Sequence, residues 1–162
     1  MDTGTLPAVA TKMIGYEAYL RKGSVLIGSE YWVNQLDTRK GADAAQPGDD
    51  PRYTGGDVVV TWLVTGETRG YNTVGGFFKS VSPARPVFQG GPGAWEMVLR
   101  FSNIDLDDKD VQGGKFWRFT PMVNWHLSDN VRLEMAYGYG RLARFGLTGY
   151  THFFQTRLQL VI

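Results

Sequence analysis

From Trp95 to the last residue the chain alternates apolar and polar side chains, segment after segment, with short interruptions. Trp95, Met97, Leu99 and Phe101 occupy odd positions against Glu96, Val98, Arg100 and Ser102. Trp117, Phe119, Pro121, Val123, Trp125 and Leu127 then oppose Phe116, Arg118, Thr120, Met122, Asn124 and His126. Val131, Leu133, Met135, Tyr137 and Tyr139 follow, and Phe154, Thr156, Leu158, Leu160 and Ile162 close the chain. A period of two predicts β-strands with one apolar and one wet face. Strands of about ten residues with aromatics near their ends are what a membrane-spanning β-barrel requires.

Composition removes several alternatives. The 162 residues suit one domain, and a formal charge of +1 with 20% charged residues gives no bulk field for nucleic acid. With no cysteine there is no disulfide framework, thiolate metal site or cysteine nucleophile. No apolar run reaches the length of a spanning helix, and alternation hides membrane strands from mean hydropathy. Met1-Asp2-Thr3-Gly4 opens without a basic region, an apolar stretch or a small-residue cleavage site, so a piece of a longer exported chain is expected.

Three further segments precede these four. Met13–Arg21 and Val25–Gln35 alternate on either side of the turn signal Arg21-Lys22-Gly23-Ser24, and Val58, Val60, Trp62 and Val64 mark a third. The fold class expected is therefore all-β, an antiparallel transmembrane β-barrel represented by about seven strands. Residues 36–56, rich in Gly, Pro and Asp, are expected to form a long extracellular loop. The links after the first and fifth strands are short, those after the second, fourth and sixth long or Gly-rich, which is the asymmetry of an outer-membrane barrel. The connection 66–93 breaks that rule. It should be periplasmic, yet it is long enough to have a function, and it is expected to fold against the barrel mouth or toward the lumen, presenting Lys79 and Arg85.

Several stretches resemble, in order and spacing, the C-terminal portion of the phosphate-selective porin family (porins O and P). They are Asp2-Thr3-Gly4, Gly15-Tyr16-Glu17, Gly28-Ser29-Glu30-Tyr31, Thr65-Gly66-Glu67-Thr68-Arg69-Gly70-Tyr71, Gly93-Ala94-Trp95-Glu96, Leu99-Arg100-Phe101-Ser102, Asn124-Trp125-His126-Leu127 and Gln155-Thr156-Arg157-Leu158-Gln159. The resemblance implies an antiparallel barrel of about sixteen strands, often trimeric, that passes anions of the phosphate or polyphosphate class across the bacterial outer membrane. It implies a lumen lined by Arg and Lys, with infolded loops forming the constriction. Outer-membrane lipid, lipopolysaccharide and small anions are the partners so implied, together with a homotrimer of the whole barrel. The chain ends in Ile162 where that family usually ends in Phe or Trp.

Arg100, Arg118, Arg132 and Arg157 are the leading anion-binding candidates. Each lies opposite the aromatic-aliphatic stripe, and a guanidinium on the lipid face costs about 2–4 kcal/mol at the midplane. In a lumen they raise local anion concentration and fork onto phosphate or carboxylate oxygens. Glu96 and Glu134 share that face, so the same arginines serve equally well as cross-strand partners of carboxylates. Trp95 and Trp125 at one end, with Trp117, Tyr137 and Tyr139 toward the other, are arranged as the aromatic girdles of a membrane barrel. Ordinary packing in a soluble barrel uses the same residues.

Other patterns carry no chemistry. Asp105, Asp107, Asp108 and Asp110 fail the calcium-loop spacing because Asp110 falls where glycine is required, which leaves a solvated acidic loop. Gly138-Tyr139-Gly140 lies within an alternating strand and no βαβ unit surrounds it, so it is not a dinucleotide fingerprint. His126 and His152 have no nucleophile-carboxylate partners, and no enzyme, cofactor or metal site is expected. Two classes remain open: a porin wall, or a small soluble lipocalin-like barrel holding an apolar ligand. They differ in whether the apolar face is bare or enclosed.

Overall fold

A computed structural model describes residues 1–38 and 50–161. Seven long strands pair in chain order into one antiparallel sheet. They are β1 (Ala8–Lys22), β2 (Val25–Thr38), β3 (Arg52–Leu63), β6 (Ala94–Asp108), β7 (Val111–His126), β8 (Val131–Arg144) and β9 (Leu147–Leu160). A two-stranded hairpin, β4 (Tyr71–Asn72) and β5 (Phe77–Phe78), and a single 3₁₀ turn at Val87–Gln89 lie within the β3–β6 connection. The sheet is not closed: β1 pairs only with β2, and β9 only with β8. The fold is a partial antiparallel β-barrel, in agreement with the alternation.

Register turns the alternation into two faces. Trp95 pairs with Trp125, Met97 with Val123, Leu99 with Pro121 and Phe101 with Phe119. The same set continues through Trp62, Val60 and Val58 of β3 and Leu133 and Met135 of β8. This face is bare: Met97, Leu99, Phe101, Trp62, Leu158 and Leu160 are all exposed. Glu96, Val98, Arg100 and Ser102 lie on the opposite face. There the connection between β3 and β6 covers the wall, and Val81 seals against Leu63 and Ala94 in the main buried apolar cluster.

That connection crosses several strands. Phe78 meets the Tyr19 ring of β1 edge-on at 5.5 Å, and Arg21 donates to the Arg69 carbonyl at 2.5 Å. On the far side the Val87 N–H donates to the carbonyl of Leu127 at 2.8 Å. Gly90, at φ 80°, ends the 3₁₀ turn in the left-handed region that glycine reaches without a Cβ clash. At the opposite end of the sheet, the Asp2 N–H donates to the Gly113 carbonyl at 3.1 Å, and Arg144 donates to the Asp2 carbonyl at 2.6 Å.

Three sequence expectations are corrected. The links after β6 and β8 are not long: they are the two-residue turns Lys109-Asp110 and Phe145-Gly146. Phe145 (φ 52°) and Gly146 (φ 74°) both have positive φ, the backbone that matches strand twist in a tight hairpin. The acidic stretch before Lys109 is strand, not solvated loop. Asp105 pairs with Lys115 at 2.7 Å, Asp107 accepts from Gly114 N–H at 2.6 Å and Asp108 from Arg52 N–H at 2.7 Å. Cross-strand bonds thus consume carboxylates that composition reads as loop. Within the expected loop 36–56, Leu36–Thr38 and Arg52–Gly56 are also strand; residues 39–49 lie outside the described residues.

Candidate functional site

The polar face presents its charges in an order set by register. Glu17 pairs with Glu30, Glu30 with Asp57, Asp57 with Ser102 and Ser102 with Arg118. Carboxylates therefore stand on β1, β2 and β3, while Arg100, Arg118, Arg132 and Arg157 stand on β6 to β9. All four sequence-predicted arginines share this face.

Their partners separate them. Arg100 forms an ion pair with Asp57. Arg132 donates to Glu134 at 2.6 Å and to Gln159 at 2.7 Å, and Arg157 lies 3.9 Å from the same Glu134. Arg118 differs: its guanidinium sits 5.7 Å from the Phe116 ring centre and 5.2 Å from that of Phe153. Its Nε is buried without a hydrogen-bond partner, and among the described residues it forms no ion pair. Lys79 and Arg85, the other two cations expected here, are exposed on the β3–β6 connection; the Lys79 backbone bonds Gly70, and the Arg85 carbonyl accepts from Gly93.

Sequence reasoning missed a buried polar cluster that fastens the connection to the wall. Glu96 is only 1% exposed. It accepts from Arg69 at 2.6 Å and Asn124 at 3.0 Å, and lies 3.2 Å from His126 Nε2. Arg69 comes from the covering segment; Asn124 and His126 come from β7. The signal available in the sequence was the position of Glu96, Asn124 and His126 on one face of neighbouring strands near the same end. Arg69 gave none, because nothing local dictates where a loop arginine lands. Beside the cluster, the Glu67 carboxyl is held below the usual carboxylate range. Burial pushes it upward, but the Thr65 hydroxyl and the backbone N–H groups of Glu67 and Ala84 stabilise the ionised form and prevail.

Also unforeseen is how the glycines of the polar face are used. A Cβ on Gly28 would lie 2.4 Å from the Tyr19 ring, on Gly55 2.5 Å from Trp32, on Gly138 1.8 Å from Phe153 and on Gly140 2.8 Å from Phe116. Each ring occupies the space a Cβ would take on the glycine of the neighbouring strand, an arrangement that shields bare backbone and pins register. The polar face is consequently part aromatic.

The five aromatics expected at the membrane boundaries lie on the bare face in two groups. Trp95 stacks on Trp125 at 5.0 Å. Toward the other end Trp117 contacts Phe101 and Tyr139, and Tyr139 stacks on Tyr150. Tyr137 shares a 2.7 Å hydrogen bond with His152. At about 3.4 Å per residue and a tilt near 40°, the separation from Trp125 to Trp117 corresponds to about 20 Å of height, close to the ~25 Å apolar band of outer-membrane barrels.

An unenclosed apolar face banded by aromatics, backed by a charged face that carries an infolded segment, defines the wall of a membrane-spanning β-barrel. The chain belongs to the phosphate-selective porin O and P family, whose family model matches residues 1–162. It is 31% identical over 138 residues to an uncharacterized protein of Caulobacter vibrioides, an alignment covering 85% of this chain and 26% of that protein. It is 29% identical over 132 residues to Porin O of Pseudomonas aeruginosa, covering 76% of this chain and 28% of that one. The chain therefore spans about a quarter of the length of these relatives.

Proposed function

We propose that this chain forms part of the wall of a bacterial outer-membrane porin that passes small anions, of the phosphate or polyphosphate class, by diffusion along its arginine-bearing face. The observation that carries this reading is the distribution of cover. The apolar face is bare, as lipid contact requires, and the charged face is the one crossed by the 66–93 segment. A soluble barrel with an apolar ligand needs the reverse arrangement. On this reading Arg100, Arg118, Arg132 and Arg157 face water. Trp95, Trp125, Trp117, Tyr137 and Tyr139 are the interfacial girdles. The 66–93 segment narrows one mouth. No covalent step and no cofactor is involved; selectivity comes from fixed charge and pore width.

The four arginines do not contribute equally. Arg100, Arg132 and Arg157 each stand beside a carboxylate that cancels much of their field, whereas Arg118 keeps its charge for the solute. The reading also includes lipopolysaccharide contact at the outer rim and, for the whole barrel, a trimer. The test is the reversal potential of the protein in planar bilayers under a salt gradient. Anion selectivity that falls in Arg118→Gln and falls further when Arg100 and Arg132 are also replaced by Gln supports the proposal. Unchanged selectivity in the triple variant overturns it.

A further inference from the structure

A groove of about 250 Å³ runs along the polar face between Glu30 and Asp57 on one side and Arg100 and Arg118 on the other, with Trp32 and Phe116 along its edge. Its charge is arranged unlike that of a plain anion site. Glu17, Glu30 and Asp57 are directly opposite one another on three adjacent strands, a placement that costs stability through like-charge repulsion. Arg100 neutralises Asp57. Glu30 receives only the Tyr19 hydroxyl, at 2.6 Å, and among the described residues neither Glu17 nor Glu30 forms an ion pair. At the other end Arg118 has no carboxylate partner and a buried Nε without an acceptor. One end therefore holds uncancelled negative charge and the other uncancelled positive charge.

We infer that this groove binds small zwitterions, with an ammonium group at Glu30, which stands beside Glu17 of the neighbouring strand, and a carboxylate at Arg118. The spacing supports it. Glu30, Asp57, Ser102 and Arg118 are successive neighbours across four strands, about 14 Å between the outer two backbones at 4.8 Å per strand. A solute that meets both groups carries its ammonium and its carboxylate at opposite ends of a short chain, as an ω-amino acid does. Trp32 packs against Gly55 and lines the groove beside Glu30, where an aromatic ring attracts an ammonium group. A simple anion is attracted at the Arg118 end alone and a simple cation at the Glu30 end alone; a solute carrying both charges is attracted at both ends. The inference rests on the reading above in one respect, that the polar face is in contact with water.

The experiment follows the Trp32 indole and Arg118 Nε–H signals by NMR, using ¹⁵N-labelled protein extracted from the membrane in its native assembly. It compares 4-aminobutanoate with butanoate and 1-butylamine, which each carry one of its two charges. The expected result is a Kd for 4-aminobutanoate at least tenfold below that of either analogue. Glu30→Gln, which keeps the size and the Tyr19 contact, should reduce that preference toward the butanoate value. Glu17→Gln, at an exposed side chain with no ion pair, should reduce it in the same direction if Glu30→Gln impairs folding. Butanoate binding as tightly as 4-aminobutanoate, or no saturable shift with any probe, overturns the inference while leaving the porin reading intact. A separate measurement isolates that reading. Broadening of Trp32 by a water-soluble gadolinium chelate supports a wet polar face, whereas broadening by a lipid-borne spin label overturns both.

Discussion

Replacing Glu96 by Gln asks how the 66–93 segment is held. Glu96 is fully buried while Arg69, its partner from the segment, is 17% exposed on its side chain. Removing one member of a buried ion pair costs about 3–5 kcal/mol, because the other charge is left uncompensated. Two features reduce that figure here. Arg69 retains some contact with water, and a Gln carbonyl can still accept from Asn124. A cost of about 2–3 kcal/mol is left, within the range for hydrogen bonds to charged groups. If it falls on the segment alone, the detached population rises about 30- to 150-fold, at tenfold per 1.36 kcal/mol.

Trypsin reads that population, since Lys79, followed by Ser80, is an exposed residue of the segment. When opening is fast relative to cleavage, the rate follows the open fraction. Glu96→Gln should therefore be cut after Lys79 tens of times faster than the parent, with the strands still resistant. Arg69→Gln alone should behave alike, and the double variant should cost less than the sum because both changes remove one interaction. Cleavage of Glu96→Gln within threefold of the parent would refute the latch.

Acid should loosen the same segment through Glu67. Its carboxyl is lowered in the folded protein, so its contribution is complete above the unfolded pKa, about 4.3, and is lost as pH falls through the folded value. Amide exchange at Ala84, whose N–H donates to Glu67 at 3.2 Å, should lose protection as the pH falls below about 4.3, and Glu67→Gln should remove the pH dependence. Gly138→Ala should displace the Phe153 ring and cost about 1–3 kcal/mol by overpacking, whereas Gly149→Ala, with nothing within 4 Å of its Cβ, should not; heat stability in detergent distinguishes the two. Phe145→Asn should stabilise the β8–β9 hairpin by up to about 1 kcal/mol, because Asn-Gly suits two left-handed turn residues and Phe does not; equal or lower stability would count against the turn assignment.

The seven strands and their two faces were legible because side-chain period is a local property that burial of one face makes strict. Turn lengths were not. Asp105, Asp107, Asp108 and Lys115 look like loop residues, and only pairing shows that each answers another across a ladder. The same is true of the wall's glycines. Gly138 and Gly140 carry no local sign that Phe153 and Phe116 of neighbouring strands cover them. That the four arginines share one face followed from their place in the alternation. What distinguishes Arg118 from Arg100 is a carboxylate on a strand far away in sequence, so sequence could not rank them. The latch was the least legible part, since Arg69 reaches Glu96 by the path of an irregular segment.

Strand direction adds a constraint that composition never hinted at. Six successive antiparallel pairings carry the sheet from β1 to β9, so these two edge strands run the same way. Each exposes a row of unpaired N–H and C=O groups, and in hydrocarbon each such group costs several kcal/mol. Direct pairing of β9 with β1, within one copy or between two, would be parallel, against the antiparallel rule of membrane barrels. An antiparallel closure therefore requires an odd number of further strands between the two edges, giving an even total. Two copies that run the same way through the membrane cannot close on each other, and a cross-link between β1 and β9 of different copies should not form in a folded barrel. Cysteines introduced at Tyr16 and Phe154, both exposed on the apolar face of the edge strands, test this. A disulfide between two copies in the folded, protease-resistant state would refute the argument from direction.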